Sequence, residues 1–152
     1  MKPVVFLRIA SVLTLIHSIL HTIGGVFGKP GPGIAESTWA AMNASQFMAF
    51  GMLRSYAMFY RGLGLGITIF LTAEAIVFWQ LGSLAKTNAV RLRPVLATFT
   101  VAYLVFAANS LAYFFLMPVI VEIVIAGCLG MAIATARSAE DASAAQVAAG
   151  RA

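Results

Sequence analysis

The stretch VLATFTVAYLVFAANSLAYFFLMPVIVEIVIAGCLGMAIATA, residues 95–136, decides the architecture. It carries one charged side chain, Glu122, in a run long enough to cross a bilayer twice. A helix needs about 20 predominantly apolar residues to span a hydrocarbon core of roughly 30 Å. The run therefore divides into spans at 95–115 and 118–136. Between them Phe115-Leu116-Met117-Pro118 is a tight hairpin, with proline suited to a first helical turn.

The same rule, applied outward, marks spans at 4–26 and 62–84. Of the 152 residues, 61% are hydrophobic and 10% charged, against about 45–50% and about 25% in an average soluble domain. That balance excludes a soluble globule and a disordered chain. No strand alternation is evident, and an open sheet would leave backbone groups unpaired in lipid. No long repeat divides the chain. The expectation is one all-α integral membrane domain over 1–137, an antiparallel four-helix bundle.

Met1-Lys2 ahead of an apolar run is how a signal peptide begins. This run is too long for one, contains Arg8, His17 and His21, and lacks an Ala-x-Ala site, so it reads as a retained first span. Arg8 can snorkel to the headgroups. The single Cys128 allows no intrachain disulfide. The net charge of +5 is scattered between apolar runs instead of gathered into a patch, so no nucleic-acid partner is expected. Lys2, Arg8, Lys86, Arg91, Arg93, Arg137 and Arg151 fall on one side of the spans; Lys29, Arg54 and Arg61 fall on the other. The positive-inside rule then puts both termini in the cytoplasm of a cell with its spans in the inner membrane.

Between spans one and two, Gly28-Lys29-Pro30-Gly31-Pro32-Gly33 breaks the helix. Residues 37–60 read as an extra interfacial helix on the outer face, with Ser37 or Thr38 as N-cap. Trp39, Trp79, Tyr56 and Tyr60 read as interfacial anchors. Gly62 with Gly66, and Gly24 with Gly28, read as small-residue faces for close helix approach. The Ala/Ser-rich end, 138–152, reads as a disordered cytoplasmic tail.

Four ionisable side chains fall inside spans: His17, His21, Glu74 and Glu122. A charge at the bilayer centre costs at least about 2.5–3.5 kcal/mol, so such groups face a bundle interior. At about 1.5 Å rise per residue, His17 and His21 lie about 20 and about 25 Å above the cytoplasmic boundary, and Glu74 lies near mid-membrane. Asn109 and Glu122 return to the outer half. His17 and His21, four apart, share a helix face. The expectation is a polar layer of His17, His21, Asn109 and Glu122 with Glu74 as its floor, and Arg54, Tyr56, Tyr60 and Arg61 at its mouth. A carboxyl and an imidazole together suit acid–base work or a proton relay. The bland reading is interhelical glue, worth about 0.6–2 kcal/mol per bond. His-x3-His plus a carboxylate has metal-ligand types, but residues 18–20 are Ser-Ile-Leu and the His-Glu-x-x-His motif is missing. Two imidazoles on one helix face cannot flank a haem iron. No metal and no cofactor are expected.

Two stretches carry a resemblance: His17-Ser-Ile-Leu-His21-Thr-Ile-Gly-Gly25, and Arg54-Ser-Tyr-Ala-Met-Phe-Tyr-Arg-Gly-Leu-Gly-Leu65. Together they resemble a family of small, uncharacterised bacterial integral membrane proteins with four helices. The likeness covers spans one and two with their connection. It implies that His21, Gly24, Gly25, Arg54, Tyr56, Tyr60 and Gly62 belong to a recurring pattern, and it implies no activity. In outline alone the chain is distantly similar to DoxX-like proteins.

The leading expectation is binding of a small lipophilic molecule in an outer-leaflet polar pocket, with acid–base conversion as an extension. A structural or accessory subunit, and a proton-coupled carrier acting as a homodimer with Glu74 as its protonation site, stand as alternatives. The lipid bilayer is the partner common to all three.

Overall fold

A computed structural model describes residues 2–136 of the chain. The expected tail at 138–152 lies outside the described residues. Among them the chain is mostly helical, and four helices are long and apolar enough to cross a membrane. In chain order they are α1, Pro3–Leu20, continued by a π-helical turn over His21–Val26; α2, Ile34–Ala44; strands β1, Gln46–Ala49, and β2, Met52–Ser55; α3, Tyr56–Asn88; α4, Arg93–Tyr113; and α5, Leu116–Thr135. The four membrane-length helices are α1 with its π turn, α3, α4 with the preceding 3-10 turn, and α5. The chain divides into two compact units. One runs to Leu15 and resumes at Ala73; the other is Ile16–Thr72.

In the first unit α4 and α5 lie antiparallel along their whole length. Arg93 Nη2 donates to the Ala136 carbonyl at one end, and Ser110 Oγ donates to Glu122 Oε1 further along. The hairpin between them is Phe114-Phe115, so the tight connection at 115–118 forms one residue earlier, with Pro118 inside the first turn of α5. Leu7 and Ala10 of α1, Phe78, Leu81 and Ala85 of α3, Leu96 and Tyr103 of α4, and Ile125, Ala126, Leu129 and Ala132 of α5 form a single apolar core. Phe78 sits edge-on to Phe99, with ring centroids 5.0 Å apart.

Arg8 is engaged by α3. Its guanidinium lies 3.5 Å from the centre of the Trp79 ring and donates to Ser83 Oγ at 2.9 Å. Trp79, read as an interfacial anchor, is thus also a cation–π partner, an interaction worth about 2 kcal/mol when desolvated.

The second unit corrects the reading of 37–60 as one interfacial helix. Helix α2 stops at Ala44, and Gln46–Ala49 pairs antiparallel with Met52–Ser55. The cause is the dipeptide between the strands. Phe50 has φ +47° and Gly51 φ +80°, the doubly positive geometry of a two-residue hairpin turn, which no helix accommodates. Glycine is at ease there, whereas a bulky residue in the left-handed region costs roughly 1–2 kcal/mol. Ser37 and Thr38 are not caps: both hydroxyls donate to the Ile34 carbonyl within the first turn of α2. The serine that caps is Ser55, whose Oγ accepts from the Met58 N–H and starts α3. Helix α3 therefore begins at Tyr56, not near Gly62. Its 33 residues extend about 50 Å, longer than a hydrocarbon core of roughly 30 Å.

The close helix approach also falls elsewhere. A Cβ on Gly24, Gly62 or Gly66 would meet nothing within 4 Å, while one on Gly64 would lie 2.9 Å from Val26 Cγ2. Gly28 has no room for a Cβ, but its obstacle is the local Gly24 carbonyl and not a second helix. Gly64→Val should cost about 1–3 kcal/mol through overpacking. Gly66→Ala should be neutral or stabilise by up to about 1 kcal/mol, as alanine does in a helix interior. Thermal unfolding in detergent micelles measures both, and equal shifts would refute the assigned contact.

Candidate functional site

On α1 the buried positions are Leu7, Ala10, Ser11, Thr14, His17 and Ser18, a stripe at helical spacing that turns polar toward the C-terminal half. Hydroxyls buried in a helix interface need acceptors, and the ladder of α3 supplies them.

In the first unit Ser11 Oγ donates to the Ala75 carbonyl at 2.7 Å. Thr14 Oγ1 has two acceptors within reach of its single proton, the Ala10 carbonyl of its own helix at 2.9 Å and the Tyr103 hydroxyl at 3.3 Å. That hydroxyl donates to Glu74 Oε2 at 2.8 Å. Three helices, α1, α4 and α3, are thereby joined by one chain of hydrogen bonds, Glu74–Tyr103–Thr14. The second carboxyl attaches further along α4. Glu122 is 0% exposed; Ser110 Oγ donates to its Oε1 at 2.9 Å, and its Oε2 is buried with no hydrogen-bond partner. Tyr103, Ala107 and Ser110 are all buried on one face of α4. Glu74 and Glu122 therefore dock on the same face about 10 Å apart, at about 1.5 Å per residue. Asn109, expected beside Glu122, is exposed, one residue off that face.

In the second unit His21 lies in the π-helical turn, and its Nε2 donates to the Gly64 carbonyl at 3.1 Å. Gly25 leaves space for the imidazole, since a Cβ there would stand 3.3 Å from Nδ1. π-helical turns occur frequently at functional sites. Ser18 and Thr22 meet Thr72 and Thr68 hydroxyl to hydroxyl, each pair 2.9 Å apart. This is interhelical glue in the strict sense: donors and acceptors satisfy one another.

The residues expected at a mouth are engaged with one another or with their own strand. Arg54 donates to the Leu53 carbonyl and to Met52 Sδ. Tyr56 packs on Phe47 at 5.0 Å, Tyr60 stands edge-on to Trp39 at 5.8 Å, and the Arg61 guanidinium lies 5.1 Å from the Trp39 ring. They form an aromatic cap over the first turns of α3.

Among the described residues no three His, Cys, Asp or Glu side chains gather in a metal-binding group. Tyr103, Ser110 and Thr14 are the site residues that sequence reasoning passed over. The available signal was Tyr103, since a phenol in so apolar a helix needs a partner for its hydroxyl. Comparison of the chain with protein families, curated proteins and solved structures gives no match.

Proposed function

We propose that the chain is a multi-pass bacterial inner-membrane protein, an antiparallel four-helix bundle with both termini cytoplasmic, that binds and releases a proton at Glu122 to move a small lipophilic substrate. The observation that carries this reading is the state of Glu122: fully buried, one oxygen held by Ser110, the other without a partner. A lone carboxylate is too costly to leave in such surroundings, so a carboxyl there works as a proton carrier. The Glu74–Tyr103–Thr14 chain supports the same reading. Each hydroxyl has one proton, so two arrangements exist: with Glu74 ionised, Thr14 donates to Tyr103 and Tyr103 to Glu74; with a proton on Glu74, Glu74 donates to Tyr103, Tyr103 to Thr14, and Thr14 to the Ala10 carbonyl. Four helices leave little room for a pathway, so the carrier acts as a homodimer. Kinship with the four-helix family that the first two spans resemble belongs to the same proposal.

Infrared difference spectroscopy of the protein in proteoliposomes tests this without knowledge of the substrate. A working carrier shows a carboxyl band that appears and disappears as pH is stepped across the physiological range, and Glu122→Gln removes it. A carboxyl that never changes its protonation would overturn the proposal.

A second reading, the lipophile pocket, is favoured by the same free oxygen, which suits the single polar group of an apolar ligand. Mass spectrometry of gently solubilised protein separates the two. A specific lipophile retained by wild type and lost from Glu122→Gln, with no titrating band, selects binding over proton coupling.

A further inference from the structure

The β1–β2 hairpin spends conformational energy on a residue that the rest of the protein does not use. Phe50 occupies the left-handed region, where asparagine or glycine would sit without strain, yet its side chain is 105% exposed and packs on nothing. Its neighbours share that exposure. Met48 and Leu53 are cross-strand partners on one face of the hairpin, 64% and 53% exposed, and Met52 is 54% exposed. A two-stranded hairpin is marginal in water and gains stability by covering its apolar face.

The other face is already fixed. Phe47 packs on Tyr56 and Phe59, at 5.0 and 5.4 Å, which holds the hairpin against the first turn of α3. The first turns of α3 carry further exposed apolar side chains, Met58 at 53% and Leu63 at 70%. Arg54 donates to Met52 Sδ beside the turn, and in the same unit Tyr60 and Arg61 both pack on Trp39. Apolar tip, basic flank and aromatic neighbours make up the composition of segments that lie at a bilayer interface.

We propose that the hairpin is a membrane wedge: Phe50, with Met48 and Leu53, inserts among phospholipids at the boundary between headgroups and acyl chains, on the side of the membrane where spans one and two are joined. The left-handed turn directs the aromatic ring away from the protein and into lipid. The proposal rests on membrane insertion of the four apolar helices, and on nothing about Glu122.

The test uses the full chain with Cys128→Ala, carrying Phe50→Cys, Met48→Cys or Ile69→Cys, each labelled with a nitroxide, in phosphatidylcholine–phosphatidylglycerol vesicles. Ile69 is an exposed residue within α3 and reports insertion of that helix. Met48→Cys reads the wedge without altering the turn. Collisions with oxygen, which concentrates in lipid, and with a water-soluble nickel complex are compared. The expected result is oxygen contact at all three sites, with nickel contact reduced several-fold at residues 48 and 50 relative to the free label. Free nickel contact at 48 and 50 with a protected Ile69 overturns the wedge alone. Free nickel contact at all three overturns membrane insertion as well. Protection of 48 and 50 from both reagents overturns lipid as the occupant and identifies a protein cover.

Discussion

Phe78→Ala should lower stability by on the order of 3 kcal/mol, the largest loss expected from any single truncation in this chain. Among the described residues Phe78 is the bulkiest fully buried side chain, its ring centroid 5.0 Å from that of Phe99 and 6.0 Å from that of Tyr103. Lipid is as apolar as a helix interior, so association of membrane helices gains little from removing apolar surface from water and depends instead on close contact. The lost energy is then dispersion, about 0.1–0.2 kcal/mol per atom pair, summed over a ring enclosed on all sides. Total stabilities of about 5–15 kcal/mol make such a loss a large fraction. Phe70, on the exposed surface of α3, is the control: Phe70→Ala should shift stability by less than about 0.5 kcal/mol. Equilibrium unfolding in mixed micelles measures both, and comparable losses at the two sites would mean that the core around Phe78 is not the close-packed part of the fold.

The contrast between these two phenylalanines shows where sequence reading stops. Both lie in an apolar run, and a helix of membrane-crossing length follows from the extent of that run alone. Helix rotation does not. Lipid and a neighbouring helix accept the same side chains, so nothing in Gly62-Leu63-Gly64-Leu65-Gly66 states that Gly64 is the glycine that touches Val26. Only His17 and His21, four apart, displayed a shared face in advance. The hairpin at 46–55 was hidden for another reason. Its turn, Phe50-Gly51, lacks the asparagine or aspartate that normally precedes glycine, and Trp39, Met42, Phe50 and Leu53 happen to recur near helical spacing.

The candidate site was legible as a set of ionisable residues and not as a set of partners. Charge in an apolar segment is conspicuous, which singled out Glu74, Glu122, His17 and His21. Their partners are a tyrosine, a serine and a backbone carbonyl, groups abundant enough to carry no signal of their own. Depth along the spans gave no information on direction: Asn109 is exposed, and its neighbour Ser110 is the residue that faces Glu122.

That Ser110–Glu122 pair supplies the sharpest test of whether the carboxyl is present for function or for the fold. Ser110→Ala should cost about 1–3 kcal/mol, because it leaves both oxygens of a fully buried carboxyl without a partner. Glu122→Leu should cost less than Ser110→Ala, since it removes the group that needs satisfying, and Ser110 can turn its hydroxyl to the carbonyl one turn back in α4. The double substitution should be close to neutral, as when both partners of a buried polar contact are replaced by apolar groups. Such a pattern would identify Glu122 as a residue kept at a cost to stability, which is the expectation for a proton carrier. The opposite order, with Glu122→Leu more damaging than Ser110→Ala, would make the pair structural glue, and proton uptake at this position would then lose its physical basis.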